Sequence, residues 1–251
     1  MFFEAPAGRQ SHSSTRHALT GALMGALAGI LMTFGAAAQE NSGFLDDYSD
    51  LEEVHPGVLM ATIPDPQTKV AAYDSIMIDQ PEFIVARDSK YSRVKPDDMK
   101  LIADTLRQAL MKSFERSSFR LVSTPGPTTL YLRTGITDVG LEKKHKRLIQ
   151  FTPIGLAATL ATSPMRDVMD KIELKGYTLE AEVVDSSTGD FIGHLVDRSR
   201  DGRGKGSTAS WEAVERDLDV GANRFRCRLE NTRLTPDARI DCFTAFPLTD
   251  G

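Results

Sequence analysis

Gly202-Arg203-Gly204-Lys205-Gly206-Ser207 stands just ahead of a helical stretch. Glycine-rich backbone amides at a helix start can cradle an anion. The spacing is not that of a phosphate loop, because Gly206 separates Lys205 from Ser207. Arg198, Arg200 and Arg203 add positive charge, yet a solvated connector is the favoured reading. Glu180 and Glu182 lie two apart on a strand and share a face, as a pair of catalytic carboxylates would. No opposing acid is evident, so a solvated strand face is expected. Glu142-Lys143-Lys144-His145-Lys146-Arg147 is a basic run. It suits anionic headgroups, or simply the exposed end of a strand. His55 and His194 have no Cys or acidic partner at ligand spacing, and with His145 and two cysteines the chain past its first segment lacks an ordinary zinc-ligand set, so neither a metal nor another cofactor is expected. The nucleophile-elbow, zinc-protease and Ser-x-x-Lys patterns are absent in any supporting context, and the chain is not read as an enzyme.

Two cysteines remain, Cys227 near the end of the last helical stretch and Cys242 in the tail. Pro236 between them helps the tail turn back. In an oxidising compartment they are expected to form a disulfide, which in the chain-entropy model contributes ~3 kcal/mol for a loop of this length.

That compartment follows from the first residues. Arg9 and Arg16 precede the charge-free run Ala18 to Phe34, and Ala36-Ala37-Ala38 then leads into Gln39. A basic start, an apolar run and an Ala-x-Ala exit describe a secretory signal peptide over 1–38, cut before Gln39. The run is at the short limit for a membrane anchor and carries Gly21, Gly25 and Gly29, which weaken it as a helix. No cysteine lies near the exit, so lipid attachment there is not expected. The expected location is the periplasm, with outer-membrane association as an alternative. The net charge of −5 over 251 residues excludes an ordinary duplex-binding surface, and no nucleic acid partner is expected.

The elements that would position these groups can be placed by period. Residues 39–68 read as an irregular arm with Phe44, Leu45, Tyr48, Leu51 and Val54 along one edge. His55-Pro56-Gly57 and Pro64-Asp65-Pro66 are expected to break any regular element there. Residues 69–230 read as a single α/β domain and 231–251 as a tail. Ser75 to Val85 reads as a strand interrupted at Pro81. Lys95-Pro96-Asp97-Asp98 opens a helix whose apolar stripe is Ile102, Leu106, Ala109, Leu110 and Phe114. Short strands follow at Phe119 to Val122 and Thr129 to Val139. Glu173 to Asp185 and Asp190 to Arg198 form a hairpin about Asp185-Ser186-Ser187-Thr188-Gly189. Trp211, Val214, Leu218, Ala222, Phe225 and Leu229 mark a second helix. The fold class is α+β: a two-layer sandwich with a mostly antiparallel or mixed sheet. Four to five strands are expected, with both long amphipathic helices on one face.

An ordered series of segments resembles the DUF3313 family of bacterial envelope proteins, many of them lipoproteins. The series begins with Ser42-Gly43-Phe44-Leu45-Asp46-Asp47-Tyr48 and Ala72-Tyr73-Asp74. It continues with Lys95-Pro96-Asp97, Pro125-Gly126-Pro127-Thr128-Thr129-Leu130, the hairpin from Leu179 to Gly189, and Ser210-Trp211. The resemblance covers roughly Ser42 to Leu229 and implies a periplasmic α/β domain, with no catalytic residues to carry over. The missing lipobox cysteine and the tail with Cys242 depart from it.

Phe151 to Pro164 carries no charge and holds Phe151, Ile154, Leu156 and Leu160. Surface connectors are normally polar, so this segment calls for burial. The protein's own core is one destination and is slightly favoured. The other is a partner: an envelope protein, a second copy, or the membrane surface, with Lys143 and Lys144 meeting anionic headgroups. The functional expectation is a non-catalytic envelope module, a scaffold or accessory subunit that binds another envelope protein or the cell wall. The alternative is a periplasmic hydrolase or small-ligand-binding protein.

Overall fold

The computed structural model describes residues 41–87, 89, 95–143, 172–198 and 211–248. Among them are eight strands and four α-helices. The strands are β1 (Glu52–His55), β2 (Val58–Thr62), β3 (Ser75–Ile78), β4 (Glu82–Val85), β5 (Arg120–Leu121), β6 (Thr129–Lys143), β7 (Ile172–Asp185) and β8 (Phe191–Asp197). The helices are α1 (Pro66–Val70), α2 (Pro96–Phe114), α3 (Trp211–Asn231) and α4 (Cys242–Ala245). All eight strands join one mixed sheet, in the order β1-β2-β8-β7-β6-β3-β5, with β4 also paired to β6. The count exceeds the four to five expected from the sequence. Two of the extra strands lie in the segment read as an irregular arm, and Pro81 divides a third from β3.

The expected breaks at His55-Pro56-Gly57 and Pro64-Asp65-Pro66 fail for a local reason. Pro56 and Gly57 do not break the chain's regularity; they are the two-residue turn of a β1–β2 hairpin, with His55 opposite Val58. Proline presets φ at the first central position, and Gly57 takes the second at φ 74°. Pro66 likewise opens α1 instead of preventing it.

Pairing is antiparallel from β1 through β6 and parallel where β6 meets β3 and β4. The parallel half follows from α2, which supplies the crossover that parallel strands require. Pro96 begins that helix, with Asp97 and Asp98 in the first turn and Lys112 in the last, a charge order that suits the helix dipole. The stripes read from the sequence are the buried ones: Ile102, Leu106, Ala109, Leu110 and Phe114 on α2, and Val214, Leu218, Ala222, Phe225 and Leu229 on α3. They form one core with Leu130, Leu132 and Ile136 of β6, Leu179, Ala181 and Val183 of β7, and Leu195 of β8. The two helices meet where Ser113 donates to the Ala222 carbonyl at 3.4 Å and to Asn223 Oδ1 at 3.0 Å.

The hairpin between β7 and β8 forms as expected. Asp185 Oδ1 accepts from the Ser187 and Thr188 amides at 2.7 and 2.9 Å, and Gly189 sits at φ 76°. Among the described residues no helix is long and apolar enough to cross a membrane.

Candidate functional site

The residues with the most chemistry gather on the face of the sheet away from the long helices. Strand alternation puts Arg133, Gly135 and Thr137 of β6, Glu180 and Glu182 of β7, and His194 and Val196 of β8 there. Glu180 was expected to be solvated; it is only 2% exposed. The segment preceding β1 lies over it, with Phe44, Leu45 and Val196 forming a second apolar cluster joined by Tyr48, Leu51, Leu59 and Ile84.

A buried carboxyl group is costly unless hydrogen bonds replace water. Three hydroxyls do so here. Ser42 Oγ and Thr137 Oγ1 each donate to Glu180 Oε1 at 2.5 Å, and Tyr48 OH donates to Oε2 at 2.8 Å. Two of these hydroxyls also accept from the arm's own backbone: Phe44 N–H reaches Ser42 Oγ, and Leu45 N–H reaches Tyr48 OH, both at 3.1 Å. The arm therefore closes on itself and on Glu180 through the same two side chains. Burial is the main influence raising the Tyr48 pKa; Ser42 works against it and Glu180 adds to it. Tyr48 thus remains a hydrogen-bond donor at neutral pH.

Glycine serves this closure twice. Gly43 takes φ 83°, a conformation that other residues rarely adopt, and lets the chain turn between Ser42 and Phe44. Gly135 lies under the Phe44 ring; a Cβ there would sit 3.0 Å from Phe44 Cδ2. A bulge in β6, where register shifts between Thr137 and Gly140 and Asp138 takes φ 49°, lies next to the Thr137 donor.

Beside this latch, Arg133 donates to Glu182 Oε2 at 2.5 Å and to Glu82 Oε1 at 3.1 Å, with its guanidinium 5.1 Å from the centre of the Phe44 ring. Burial opposes the Arg133 charge, but Glu182 and Glu82 outweigh it and raise the pKa. His194 Nε2 lies 3.2 Å from Glu182 Oε1. Glu182 is thus held between Arg133 and His194 and is not a free surface acid. This corrects the expectation of a solvated face for both glutamates.

The end of the sheet has its own network. Tyr73 OH donates to Asp185 Oδ2 at 2.8 Å, and Ser186 Oγ bridges the Gly126 amide and carbonyl at 3.0 Å. Asp74 Oδ1 accepts from Ser75, Thr128 and Arg120. Three segments that stood apart in the sequence, at Tyr73-Asp74, Gly126 to Thr129 and Asp185 to Gly189, are fastened together here.

Cys227 and Cys242 are bonded, with Cα atoms 5.8 Å apart. The bridge holds α4 against α3, where Phe243 stacks on His55 at 3.5 Å and lies under Arg224 and Arg228. His55 therefore packs against a ring. Lys143 ends β6 opposite Ile172. Lys144, Phe151, Ile154, Leu156 and Leu160 lie outside the described residues, as do the signal segment 1–38 and Gly202 to Ser207. Among the described residues no three metal-capable side chains converge. The cavity between β2, β8 and α3 is apolar and about 40 Å³, lined by Met60, Val70, Ile192, Phe225 and Leu229 among others.

The geometry defines a mixed-sheet α/β domain whose second face is closed by its own N-terminal arm. The chain belongs to the DUF3313 family, proteins of unknown function, whose pattern matches residues 40–225. The "Uncharacterized lipoprotein YdcL" of Escherichia coli K12 is 28% identical over 196 residues, covering 73% of this chain and 82% of that relative. Among solved structures, the PelC dodecamer from Paraburkholderia phytofirmans aligns with TM-score 0.35 and 12% identity, over 69% of this chain and 96% of that one. A neuraminyllactose-binding hemagglutinin homolog from Helicobacter pylori aligns with TM-score 0.28 and 11% identity, over 66% and 84%.

Proposed function

We propose that this chain is a non-catalytic module of the cell envelope, exported to the periplasm, which binds another envelope protein or the cell wall. The observation that carries the reading is the use made of Glu180. The most deeply buried acid of the polar face accepts from Ser42, Tyr48 and Thr137, so its carboxylate is engaged in fastening the arm. Glu182 is engaged in the same way by Arg133 and His194. The lipoprotein name of the Escherichia coli relative supports an envelope location. Both cysteines of this chain stand in the Cys227–Cys242 bridge, which suits export without lipid attachment at either thiol.

The docking element in this reading is the charge-free stretch Phe151 to Pro164, flanked by Lys143 and Lys144. β6 ends at Lys143, which pairs with Ile172 at the start of β7, at one end of the two longest strands. Crosslinking in intact cells followed by purification tests it. The wild-type chain is expected to recover one recurrent envelope partner. Leu156→Asp with Leu160→Asp should lose that partner at an unchanged melting temperature. Unfolding of the double variant would place the stretch in the core. Substrate turnover that falls in Glu182→Gln would replace the binding reading with a hydrolase.

A further inference from the structure

Among the described residues the outer edge of β3 is only half covered. β5 pairs with Ser75 and Ile76 alone, whereas β6 pairs with all four residues of β3. The Val122 amide donates to the Ile76 carbonyl at 3.0 Å, so the backbone of Ile76 faces β5. Backbone direction repeats every second residue, so Ile78 faces the same way, past the end of β5. A groove of about 710 Å³ opens there, lined by Met77, Ile78, Arg107, Met111, Leu121 and Tyr131 among others.

The groove's charges are unevenly committed. Asp79 accepts from Tyr131 OH and from the Gln80 amide. Asp104, one turn before Arg107 on α2, accepts from Lys100 at 2.6 Å and Gln80 at 2.8 Å. The two acids beside the groove take their hydrogen bonds from other partners, and Arg107, whose charge also lowers the Asp104 pKa, is among the residues lining the groove. Met77 and Met111 give the walls unbranched, adaptable side chains.

We propose that this groove takes an extended segment of a partner polypeptide as an added strand beside β3, with an acidic side chain of that segment against Arg107. Backbone groups at the free edge would supply the affinity, and Arg107 with the two methionines would supply the selectivity. The proposal extends the binding reading to a second surface. Its test uses purified chain and peptides alone, so its failure leaves the envelope capture experiment untouched.

The probe is a displayed library of random heptapeptides, selected on the mature disulfide-bonded protein, with the best binder then synthesised and titrated by fluorescence anisotropy. Selected peptides should share an Asp or Glu at one position. Arg107→Gln should weaken binding by about tenfold at an unchanged melting temperature. N-methylation of alternate peptide amides should abolish binding to the wild-type protein, and this arm needs no variant to fold. A library that yields nothing above the blank support overturns the proposal. So does a selected peptide indifferent to either the Arg107 change or the N-methylation.

Discussion

The two faces of β6 and β7 are built from alternate residues of the same strands and are closed in opposite ways. On one, Leu132, Ile136, Leu179 and Val183 meet α2 and α3 through apolar contact that has no directional demand. On the other, Glu180 meets Ser42 and Tyr48 of the arm through hydrogen bonds that fix each partner's position, and Thr137, Arg133 and Glu182 are bonded within the sheet. Burying polar groups stabilises little in itself, because the bonds made replace bonds to water. It is selective, because a misplaced arm would leave a carboxyl group dry and unpaired. The helix face accordingly carries most of the stability, and the arm face determines which segment may lie there.

Breaking the helix face should have the largest effect. Leu218 of α3 is fully buried, and Leu218→Ala should cost about 2–5 kcal/mol of global stability. A urea midpoint that falls with an unchanged slope is the expected result; a loss under 1 kcal/mol, on the scale of a surface change, would remove α3 from the core. Glu180→Gln should cost somewhat less, about 1.5–3 kcal/mol, because its amide nitrogen faces hydroxyls that must themselves donate. Its signature is local. Hydrogen exchange at the Phe44 and Leu45 amides should rise well before exchange at Leu132. Equal change on both faces would mean that the arm is not a separate closure.

Gly135 tests whether the arm is seated specifically. Gly135→Ala places a methyl group 3.0 Å from the Phe44 ring and should cost about 1–3 kcal/mol through overpacking. Thr137 Cγ2 is equally near, so some of that cost is independent of the arm. In a Phe44→Leu background the cost should shrink, giving a coupling of about 0.5 kcal/mol or more in a double-mutant cycle. Strict additivity would detach Gly135 from Phe44.

Much of this was legible in the sequence and two parts were not, for physical reasons. Helix stripes such as Ile102 to Phe114 are local, and the 3.6-residue period reports them directly. The β7–β8 turn is local too, since Asp185 bonds its own neighbours. The disulfide follows from having two cysteines in a chain whose first residues read as an export signal. Glu180 was misread because alternation separates apolar from polar, and polar from apolar is not buried from exposed. What covers a polar face comes from far away in the chain, here Ser42 and Tyr48. The signal was present in two hydroxyls flanking Phe44-Leu45, and in a glycine at 135 where a β-branched residue would suit a strand better. Pro56-Gly57 was misread as a break because the same dipeptide that ends a helix closes a hairpin.

The smallest effect lies in alkaline solution, and it sharpens the comparison by titrating groups outside the apolar core. Tyr131 shares the polar face with Arg133; burial first, then its hydrogen bond to Asp79, pushes its pKa from 10.0 up to about 12. Tyr73 at the sheet end is pushed to about 12 as well, by burial and by Asp185. Both tyrosines bind their proton more tightly folded than unfolded. Stability from them is complete below pH 10 and falls as pH rises toward 12, because the unfolded chain then ionises first. Asp74 works at the other end of the scale: hydrogen bonds from Ser75 and Thr128, with Arg120, hold it at about 2, so its contribution fades as pH falls below 3.8. Tyr131→Phe with Tyr73→Phe should therefore flatten the alkaline limb of a stability curve, and should change the acid limb only by what Asp185 loses with the Tyr73 hydroxyl. Tyrosine absorbance followed through the same range gives an independent reading. If both phenols ionise near pH 10 in the folded protein, neither hydroxyl is held by its aspartate, and the polar bonds of the sheet end are looser than those of the arm.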